Sequence, residues 1–250
     1  MGKRKPEQKW GLIGGCGALA VLLAVLLAFC TPSKTVPDPT VPETTAAPTE
    51  ATTQPVPSVS RDDWNLILVN PWHAIPDGYT VELEQIDSVH AVDVRVWPAL
   101  QAMLTAAEAE GLEPILCSSY RTMEKQEALF SNKLERCMAE GYSREEAVIE
   151  AGKWVAIPGT SEHQTGLAVD IVSASYQVLD RAQEDTPEQQ WLMENSYLFG
   201  FIMRYPEDKS DLTGIYYEPW HYRYVGKEAA KEIYERGICL EEYLEEIPLG

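Results

Sequence analysis

The chain has 250 residues, with 20 basic and 39 acidic side chains and a formal net charge of −19 at pH 7. From residue 61 onward it holds 15 basic and 35 acidic residues, so this part has a net charge of −20. Nucleic-acid phosphates and anionic lipid headgroups repel such a surface. The charge balance therefore argues against nucleic-acid binding and leaves open a soluble enzyme for small or cationic ligands.

A stretch of 20 uncharged residues occupies positions 11–30. It is long enough to span a bilayer as a helix, and four basic residues precede it, which is typical of a cytoplasmic N-terminus. We predict a basic cytoplasmic segment over 1–10, a transmembrane anchor over 11–30, and a single-pass protein of the cell membrane whose remaining domain is extracytoplasmic. A lipoprotein signal that ends at Cys30 is the alternative, although the bulky Phe29 stands where a small residue is expected.

Residues 31–60 are rich in Thr and Pro and contain almost no large apolar side chain. Such a segment cannot bury enough surface to offset the entropy lost when it becomes ordered. We predict a disordered stalk over 31–60, which lifts a folded domain over 61–250 away from the membrane.

The folded domain shows helical and strand patterns without a regular alternation. Capping residues mark three helix starts, at Thr122, at Ser143 with Glu146, and at Thr186 before Pro187. The patterns predict strands over 65–69, 114–117, 167–172, 199–204 and 215–218, and helices that begin near 97, 123, 144, 187 and 227. Because helices and short strands mix without βαβ repeats, we predict a single α+β domain.

The five cysteines are too few for a domain held together by disulfides. Two of them lie within or at the end of the predicted anchor, so Cys117, Cys137 and Cys239 are left in the domain. Three cysteines form at most one disulfide, and both a Cys117–Cys137 bond and free buried thiols stay open. No CxxC pair occurs, which excludes a zinc site built from cysteines.

Two of the four histidines lie in segments rich in functional polar residues, SEHQTGLAVD (161–170) and YEPWHYRYVG (217–226). Catalytic zinc binds about three nitrogen or oxygen ligands and keeps a further position for water. His163 and His221 offer two imidazoles for a site of this kind.

Asp170 is the candidate for a third ligand. It lies between Val169 and Ile171 in a predicted strand, so its side chain points to the face opposite theirs. A buried carboxylate without a partner is very costly, which requires a cation, a metal ion or several donors beside it. Gly166 and Ala168 are small enough to let the backbone pass close to a metal.

Three further residues suit the hydrolysis of a peptide. Glu218 lies three residues before His221 and could act as a base on water beside the metal. Arg121 lies between a predicted strand and a predicted helix, where it could hold a substrate carboxylate or an oxyanion. Gln126, one helical turn onward, could hydrogen-bond a peptide backbone.

Spacing alone does not decide between these roles and structural ones. An isolated histidine near a strand end is more often a structural residue than a ligand, and we interpret His73 and His90 in that way. A structural protein on a stalk, with no metal, also stays open at this point.

Three segments carry a resemblance to a known family: SSYRTMEKQ (118–126), SEHQTGLAVDI (161–171) and LFGFIMRYPEDKSDLTGIYYEPWHYRYVG (198–226). Together they resemble the VanY-like D-alanyl-D-alanine carboxypeptidases, zinc enzymes that trim the stem peptide of bacterial peptidoglycan. The family pattern S-x-H-x-x-G-x-A-x-D followed by E-x-W-H is matched at every position. The resemblance covers residues 62–240, with a small departure at Ser119, where many relatives carry glycine.

The resemblance implies one zinc ion on His163, Asp170 and His221, Glu218 as the catalytic base, Arg121 as a catalytic residue that contacts substrate, and Ser161 and Gln126 as substrate-binding residues. It also implies a hedgehog/D,D-peptidase-like fold, in which helices flank a central antiparallel sheet. The implied reaction is zinc-dependent removal of the C-terminal D-alanine from peptidoglycan stem peptides, and we expect a monomer. An L,D-carboxypeptidase for tetrapeptide stems and a non-catalytic module that binds the cell wall remain alternatives.

Overall fold

The structure is a computed structural model and describes residues 59–247. The predicted cytoplasmic segment, the anchor over 11–30 and stalk residues 31–58 lie outside this range, so those assignments stay predictions. No helix within the described range is long and apolar enough to cross a bilayer. Val59 already packs against a core cluster, two residues before the predicted start of the domain.

Six strands and seven helices form in this part of the chain. They are β1 (Leu83–Gln85), β2 (Ala91–Asp93), α1 (Trp97–Ala109), β3 (Pro114–Ser118), α2 (Met123–Ala139), α3 (Arg144–Trp154), β4 (Ala168–Ser173), α4 (Pro187–Asn195), β5 (Phe201–Met203), α5 (Ser210–Thr213), β6 (His221–Tyr224), α6 (Lys227–Arg236) and α7 (Leu240–Glu246). Helices and antiparallel strands therefore share one domain, which confirms the predicted α+β class.

The main sheet has four antiparallel strands in the order β3-β4-β6-β5. Strands β1 and β2 pair separately, also antiparallel. In the register of the two central strands, Asp170 of β4 lies opposite His221 of β6. Strand pairing thus brings together two residues that are far apart in the sequence.

One face of the sheet packs against α1 and α4 and forms the largest core cluster. Val169 and Ile171 of β4 join Leu100 of α1 and Leu192 of α4 there, and all four side chains are fully buried. Burial of one such side chain contributes about 1.5–3 kcal/mol to stability. Because side chains alternate along a strand, this apolar contact directs Asp170 to the opposite face.

Two smaller clusters hold the remaining helices. Helices α6 and α7 pack around Leu66 and Ile202, and α2 packs against α3 through Cys137 and two alanines of α3. The cysteines of the described part are all free, with Cys137 and Cys239 buried and Cys117 exposed. The open possibility of a disulfide among these three residues is therefore not realised.

Side-chain caps begin α2, α3 and α4 where the sequence predicts them. Oγ1 of Thr122 accepts a hydrogen bond from the backbone N–H of Lys125 (3.3 Å). Ser143 and Glu146 form a capping box, and Thr186 caps α4. Each such cap is worth about 1 kcal/mol, and it fixes the residue at which the helix begins.

The predicted strand over 65–69 is wrong. Residues Trp64–Leu66 form a short 3-10 helix, and the chain beyond it is irregular. The carbonyl oxygens of Asn65 and Ile67 accept hydrogen bonds from the guanidinium of buried Arg223 (3.0 and 2.8 Å). A side chain thus satisfies the backbone groups that a neighbouring strand would otherwise bind.

The predicted strand over 215–218 is also wrong, because these residues form a loop before β6. The backbone N–H of Tyr216 donates to the carbonyl oxygen of Lys153 (2.9 Å), and that of Glu218 donates to the carbonyl oxygen of Tyr205 (3.3 Å). The loop is therefore held by α3 on one side and by the segment after β5 on the other.

Candidate active site

The three predicted metal ligands lie together. Asp170 is on β4, His221 opens β6, and His163 lies in the 3-10 turn Glu162–Thr165 just before β4. Their ligand atoms all lie within 4.8 Å of one another, and each residue is at most 4% exposed. Between residues 59 and 247, no second group of three or more potential ligands is close enough to hold a metal.

His163 offers one imidazole nitrogen to the site and uses the other as an anchor. Its Nδ1 lies 2.9 Å from the carbonyl oxygen of Ser119 and donates its proton there. Its Nε2 lies 3.3 Å from Oδ2 of Asp170. Burial lowers the pKa of His163 to about 4, and Arg121 contributes to this decrease. The imidazole is therefore neutral, as a metal ligand must be.

Ser119 ties this anchor to the rest of the fold. Its hydroxyl accepts a hydrogen bond from the backbone N–H of Ala91 (3.1 Å), while its carbonyl oxygen accepts from His163. The serine side chain thus joins β2 to the residue that orients a metal ligand.

Carboxylates hold His221 on both sides. Its Nδ1 lies 3.0 Å from Oδ1 of Asp170, and its Nε2 lies 3.3 Å from Oε2 of the fully buried Glu162. Glu162 accepts the Nε2 proton, so Nδ1 is the ligand atom. Burial alone would lower the pKa of His221, but hydrogen bonds to the two carboxylates raise it to about 9. A divalent cation at Nδ1 would displace the second proton.

Asp170 is the charged centre of the group. Its Oδ2 accepts a hydrogen bond from Arg121 (2.8 Å). Burial alone would raise the pKa of Asp170, but His163, His221 and Arg121 outweigh it and hold this pKa well below its usual range. The carboxylate is therefore ionised, and the cationic partner that its position in an apolar strand required is present.

Behind Glu162 lies a buried charge network that sequence reasoning missed. Oε1 of Glu162 accepts hydrogen bonds from Arg204 (2.8 Å) and Arg223 (2.7 Å), and both arginines are fully buried. Arg204 also binds both carboxylate oxygens of Glu241 (2.8 and 2.6 Å). Buried charges are tolerated only when they are paired and hydrogen-bonded in this way. The network fixes Glu162 and, through it, the ring of His221.

Glu218 lies beside the ligand nitrogen of His221, and a small part of its side chain is exposed. Its Oε2 is 3.9 Å from Nδ1 of His221, and 12% of its side chain is exposed. Burial raises the pKa of Glu218 to about 8, against the opposing effect of His221 and with a further increase from Asp170. A bound divalent cation would lower this pKa and favour the carboxylate. This position suits a general base.

Arg121 follows β3 and lies against the ligand carboxylate. Its Nε donates to Oγ of Ser118 (2.9 Å), and its backbone N–H donates to the carbonyl oxygen of His163 (3.0 Å). The side chain is 17% exposed and lines the cleft described next. A guanidinium held in this way can meet an anionic group of a ligand.

A cleft of about 330 Å³ opens onto these residues. Its inner part is lined by the three metal ligands and by Arg121, Ser161, Tyr205, Glu218 and Trp220. Its outer wall belongs to α2 and to the end of α3. The cleft is large enough to take more than one amino-acid residue of a peptide.

Gln126 lies behind the cleft wall and does not line it. The residue is fully buried, and its Nε2 donates to the carbonyl oxygen of Ala156 (2.7 Å), which does line the cleft. Its Oε1 has no hydrogen-bond partner within the described range. Gln126 therefore holds the wall in place, whereas Ser161 faces the cleft.

The donor set fits a catalytic zinc ion. Two imidazole nitrogens and one carboxylate are a usual ligand set, and ligands at about 2.0–2.2 Å from a tetrahedral zinc lie about 3.4 Å apart. The oxygens of Asp170 lie 3.3 Å from Nε2 of His163 and 3.0 Å from Nδ1 of His221. The three residues could thus hold zinc with little rearrangement, and Glu218 lies beside one of them, with Oε2 3.9 Å from Nδ1 of His221.

The two other histidines have local roles. Nδ1 of His73 lies 2.9 Å from the side-chain oxygen of Asn70, and Nδ1 of His90 lies 2.7 Å from the carboxylate of Asp87. Each contact joins residues three positions apart within a turn. Neither histidine belongs to the group of potential metal ligands, which agrees with the interpretation of both as structural.

Comparison with known proteins gives the family. A family model described as VanY, D-alanyl-D-alanine carboxypeptidase, matches residues 89–227, which include the three potential metal ligands, Glu218, Arg121, Ser161 and Gln126. A D-alanyl-D-alanine carboxypeptidase of Enterococcus faecalis is 51% identical over 182 residues, which are 73% of this chain and 66% of the relative. The chain thus spans slightly less than two thirds of that relative's length.

Two solved structures are similar at 50% sequence identity. VanYB in complex with D-alanine-D-alanine has a TM-score of 0.69 and matches 74% of this chain and 99% of its own. A mutant of the vancomycin resistance D,D-pentapeptidase VanY in complex with Zn(II) has a TM-score of 0.67 and matches 73% of this chain and 99% of its own. Family model, sequence and fold agree with the motifs, and this chain belongs to the VanY family of D-alanyl-D-alanine carboxypeptidases.

Proposed function

We propose that this protein is a zinc carboxypeptidase that removes the C-terminal D-alanine from peptidoglycan stem peptides. The observation that carries the proposal is that the ligand atoms of His163, Asp170 and His221 lie together, with the carboxylate of Glu218 beside Nδ1 of His221. The relatives support the same reading, since one binds Zn(II) and another binds D-alanine-D-alanine.

The side chains that line the cleft have different roles in the reaction. Zinc, when bound, acts as a Lewis acid towards water and the scissile carbonyl group. Glu218 takes a proton from the attacking water and passes it to the departing amine of D-alanine. Arg121 neutralises the negative charge that develops on the carbonyl oxygen, or holds the terminal carboxylate of the peptide.

The substrate is positioned by the cleft wall. Ser161 is buried at 3% exposure and faces the cleft, so its polar groups are available to a bound peptide. Gln126 acts on the substrate indirectly, because it fixes the Ala156 carbonyl from behind the wall. A rigid wall of this kind holds the scissile bond in a geometry that favours attack.

The test is hydrolysis of a stem pentapeptide that ends in D-Ala-D-Ala, followed by mass spectrometry. We expect the loss of one alanine, its disappearance when a chelator is added, and its return with zinc. Cleavage of a tetrapeptide stem in place of the pentapeptide would favour the L,D-carboxypeptidase alternative. If neither peptide is cut but cell-wall fragments bind, the protein is a non-catalytic wall-binding module.

We further propose that the catalytic domain lies outside the cytoplasm, with residues 11–30 as a membrane anchor and 31–60 as a stalk. The uncharged length of 11–30 and the basic residues before it support this topology. Protease treatment of intact spheroplasts should remove the domain and spare the anchor. If Cys30→Ala releases the protein from the membrane, the anchor is instead a lipid on that cysteine.

A further inference from the structure

One face of α2 forms the outer wall of the cleft. Leu129, Lys133 and Arg136 line it, at a spacing that places them on the same side of a helix. The adjacent face of α2 is occupied, because Leu134 and Cys137 pack in the cluster between α2 and α3. The packing against α3 therefore sets which side chains α2 presents to the cleft.

Lys133 and Arg136 are positively charged side chains in a domain with a large negative net charge. The part of the chain from residue 61 onward has a net charge of −20, and nine of its 15 basic residues form an ion pair with a carboxylate. Neither Lys133 nor Arg136 forms an ion pair within the described range. Two cations without a counter-charge line the same cleft as Arg121.

The position of Lys133 is fixed by an aromatic support. Its ammonium group lies 4.5 Å from the centre of the Trp154 ring. The ring in turn packs edge-on against Tyr216 (4.8 Å between ring centres), and its Nε1 donates to Glu150 (3.1 Å). A cation–π contact holds the ammonium group without neutralising its charge, so the charge remains available to a ligand.

We propose that Lys133 and Arg136 form a subsite for a carboxylate on the acyl side of the scissile bond. This inference rests on the proposed function. A carboxypeptidase releases one residue, and Arg121 near the metal ligands suffices for the carboxylate of a released D-alanine. The rest of the cleft is therefore left for the part of the peptide that precedes the scissile bond.

For a peptide that runs along α2, the rise of the helix sets where the carboxylate lies in the peptide. Ten residues separate Met123, next to the loop of Arg121, from Lys133, and a helix rises about 15 Å over that length. An extended peptide advances about 3.3–3.6 Å per residue, so it covers this distance in about four residues. The subsite would thus select peptides with an acidic residue three or four positions before the scissile bond.

The experiment compares two peptides that end in D-Ala-D-Ala and differ at the third residue before the scissile bond, which is glutamate in one and glutamine in the other. For the full-length protein loaded with zinc, we expect kcat/KM to be about tenfold higher for the glutamate peptide, because two charge pairs of this exposure give an effect of that order. High salt should reduce the preference, since it screens exposed charges.

The variant Lys133→Gln with Arg136→Gln should bring the ratio of the two kcat/KM values close to one. A matched control is Arg144→Gln with Lys227→Gln, which removes the same charge at exposed first residues of α3 and α6 and should keep the wild-type ratio. A wild-type ratio near one, or a preference that survives in the Lys133/Arg136 variant, would overturn the subsite while the peptidase function stands. If the wild-type protein cuts neither peptide, the proposed function fails, and the subsite with it.

Discussion

Glu162 joins a predicted metal ligand to the buried interior of the domain. Its carboxylate accepts from His221 on one oxygen and from Arg204 and Arg223 on the other. A histidine ligand whose second nitrogen is bound by a carboxylate has a fixed ring orientation and greater basicity. Glu162 is therefore a positioning residue, which acts on the metal through His221.

Replacing Glu162 by glutamine tests this role. Glu162→Gln keeps the shape of the side chain but removes its charge, so we expect the affinity for zinc to fall by about tenfold or more. Competition with a coloured chelator measures it without reference to activity. Glu145→Gln, an exposed change in the first turn of α3, should leave the affinity unchanged. Equal zinc affinities for the two variants would show that Glu162 does not act on the metal.

For Glu218 we expect the opposite result, a loss of activity without a loss of zinc, because Glu218 is not a metal ligand. Glu218→Ala should retain zinc and reduce kcat by at least about 10²-fold, the usual contribution of a general base. Zinc content and hydrolysis are measured on the same sample. Near wild-type rates would mean that another group takes the proton from water.

Some of these residues can be predicted from the sequence and others cannot. The sequence predicts Asp170 as a ligand because a charge inside an apolar strand requires a partner. Arg204 and Arg223 also lie in apolar, aromatic segments, so their charges too require a buried acidic partner. The sequence does not identify Glu162 as that partner, since the pairing depends on how three distant segments pack.

At the scale of elements, the turn before β4 sets the position of His163. Gly166 ends that turn with a φ of 77°, and a Cβ there would lie 2.9 Å from the backbone nitrogen of Asp93. The Asp93 N–H donates to the carbonyl oxygen of Gly166 (3.0 Å). The sequence predicts that the small Gly166 lets the backbone pass close to a metal, but in the fold its close neighbour is Asp93 of β2.

Gly166→Ala should destabilise the fold more than Gly111→Ala does. Both glycines have positive φ, so alanine costs about 1–2 kcal/mol at either position. A Cβ at Gly111 meets nothing within 4 Å, whereas at Gly166 it also pushes β2 away. Urea unfolding of the two variants compares the losses. Equal decreases in the free energy of unfolding would mean that β2 can move away from a Cβ at position 166 at little cost.

Helices whose start or end is marked by nearby residues can be predicted from the sequence. Helices whose position depends on contacts with distant residues cannot. The helix predicted to begin near 227 does begin at Lys227, because its apolar pattern and the glycine that ends it, Gly237, are local signals. Helix α7 is absent from the predicted helices. In the fold Glu241 of this helix binds Arg204, which no local pattern could indicate.

At the scale of the whole molecule, the metal site joins parts of the fold that are distant in sequence. It takes one ligand from a turn and one from each central strand, so a bound ion crosslinks them. An ion that binds the folded state alone adds about 2.7 kcal/mol to stability at a free concentration of 100 Kd. A structural protein that binds no metal would not become more stable when zinc is added.

Chelation should therefore lower the melting temperature, and added zinc should restore it. In His163→Ala the ligand set is incomplete, so the zinc-dependent part of the stability should disappear. His73→Ala, which changes a structural histidine outside the site, should keep the full response to zinc. A melting temperature that does not respond to chelation in the wild-type protein would argue against a zinc site.

The most direct test of the central claim is a zinc titration of the metal-free protein that records bound zinc and D-alanine release together. We predict that hydrolysis of the pentapeptide stem rises in proportion to bound zinc and saturates at one ion per chain, and that Asp170→Ala abolishes both. Full hydrolysis by the metal-free protein, or activity that does not follow the bound zinc, would show that the protein does not cut the peptide with a zinc ion at this site.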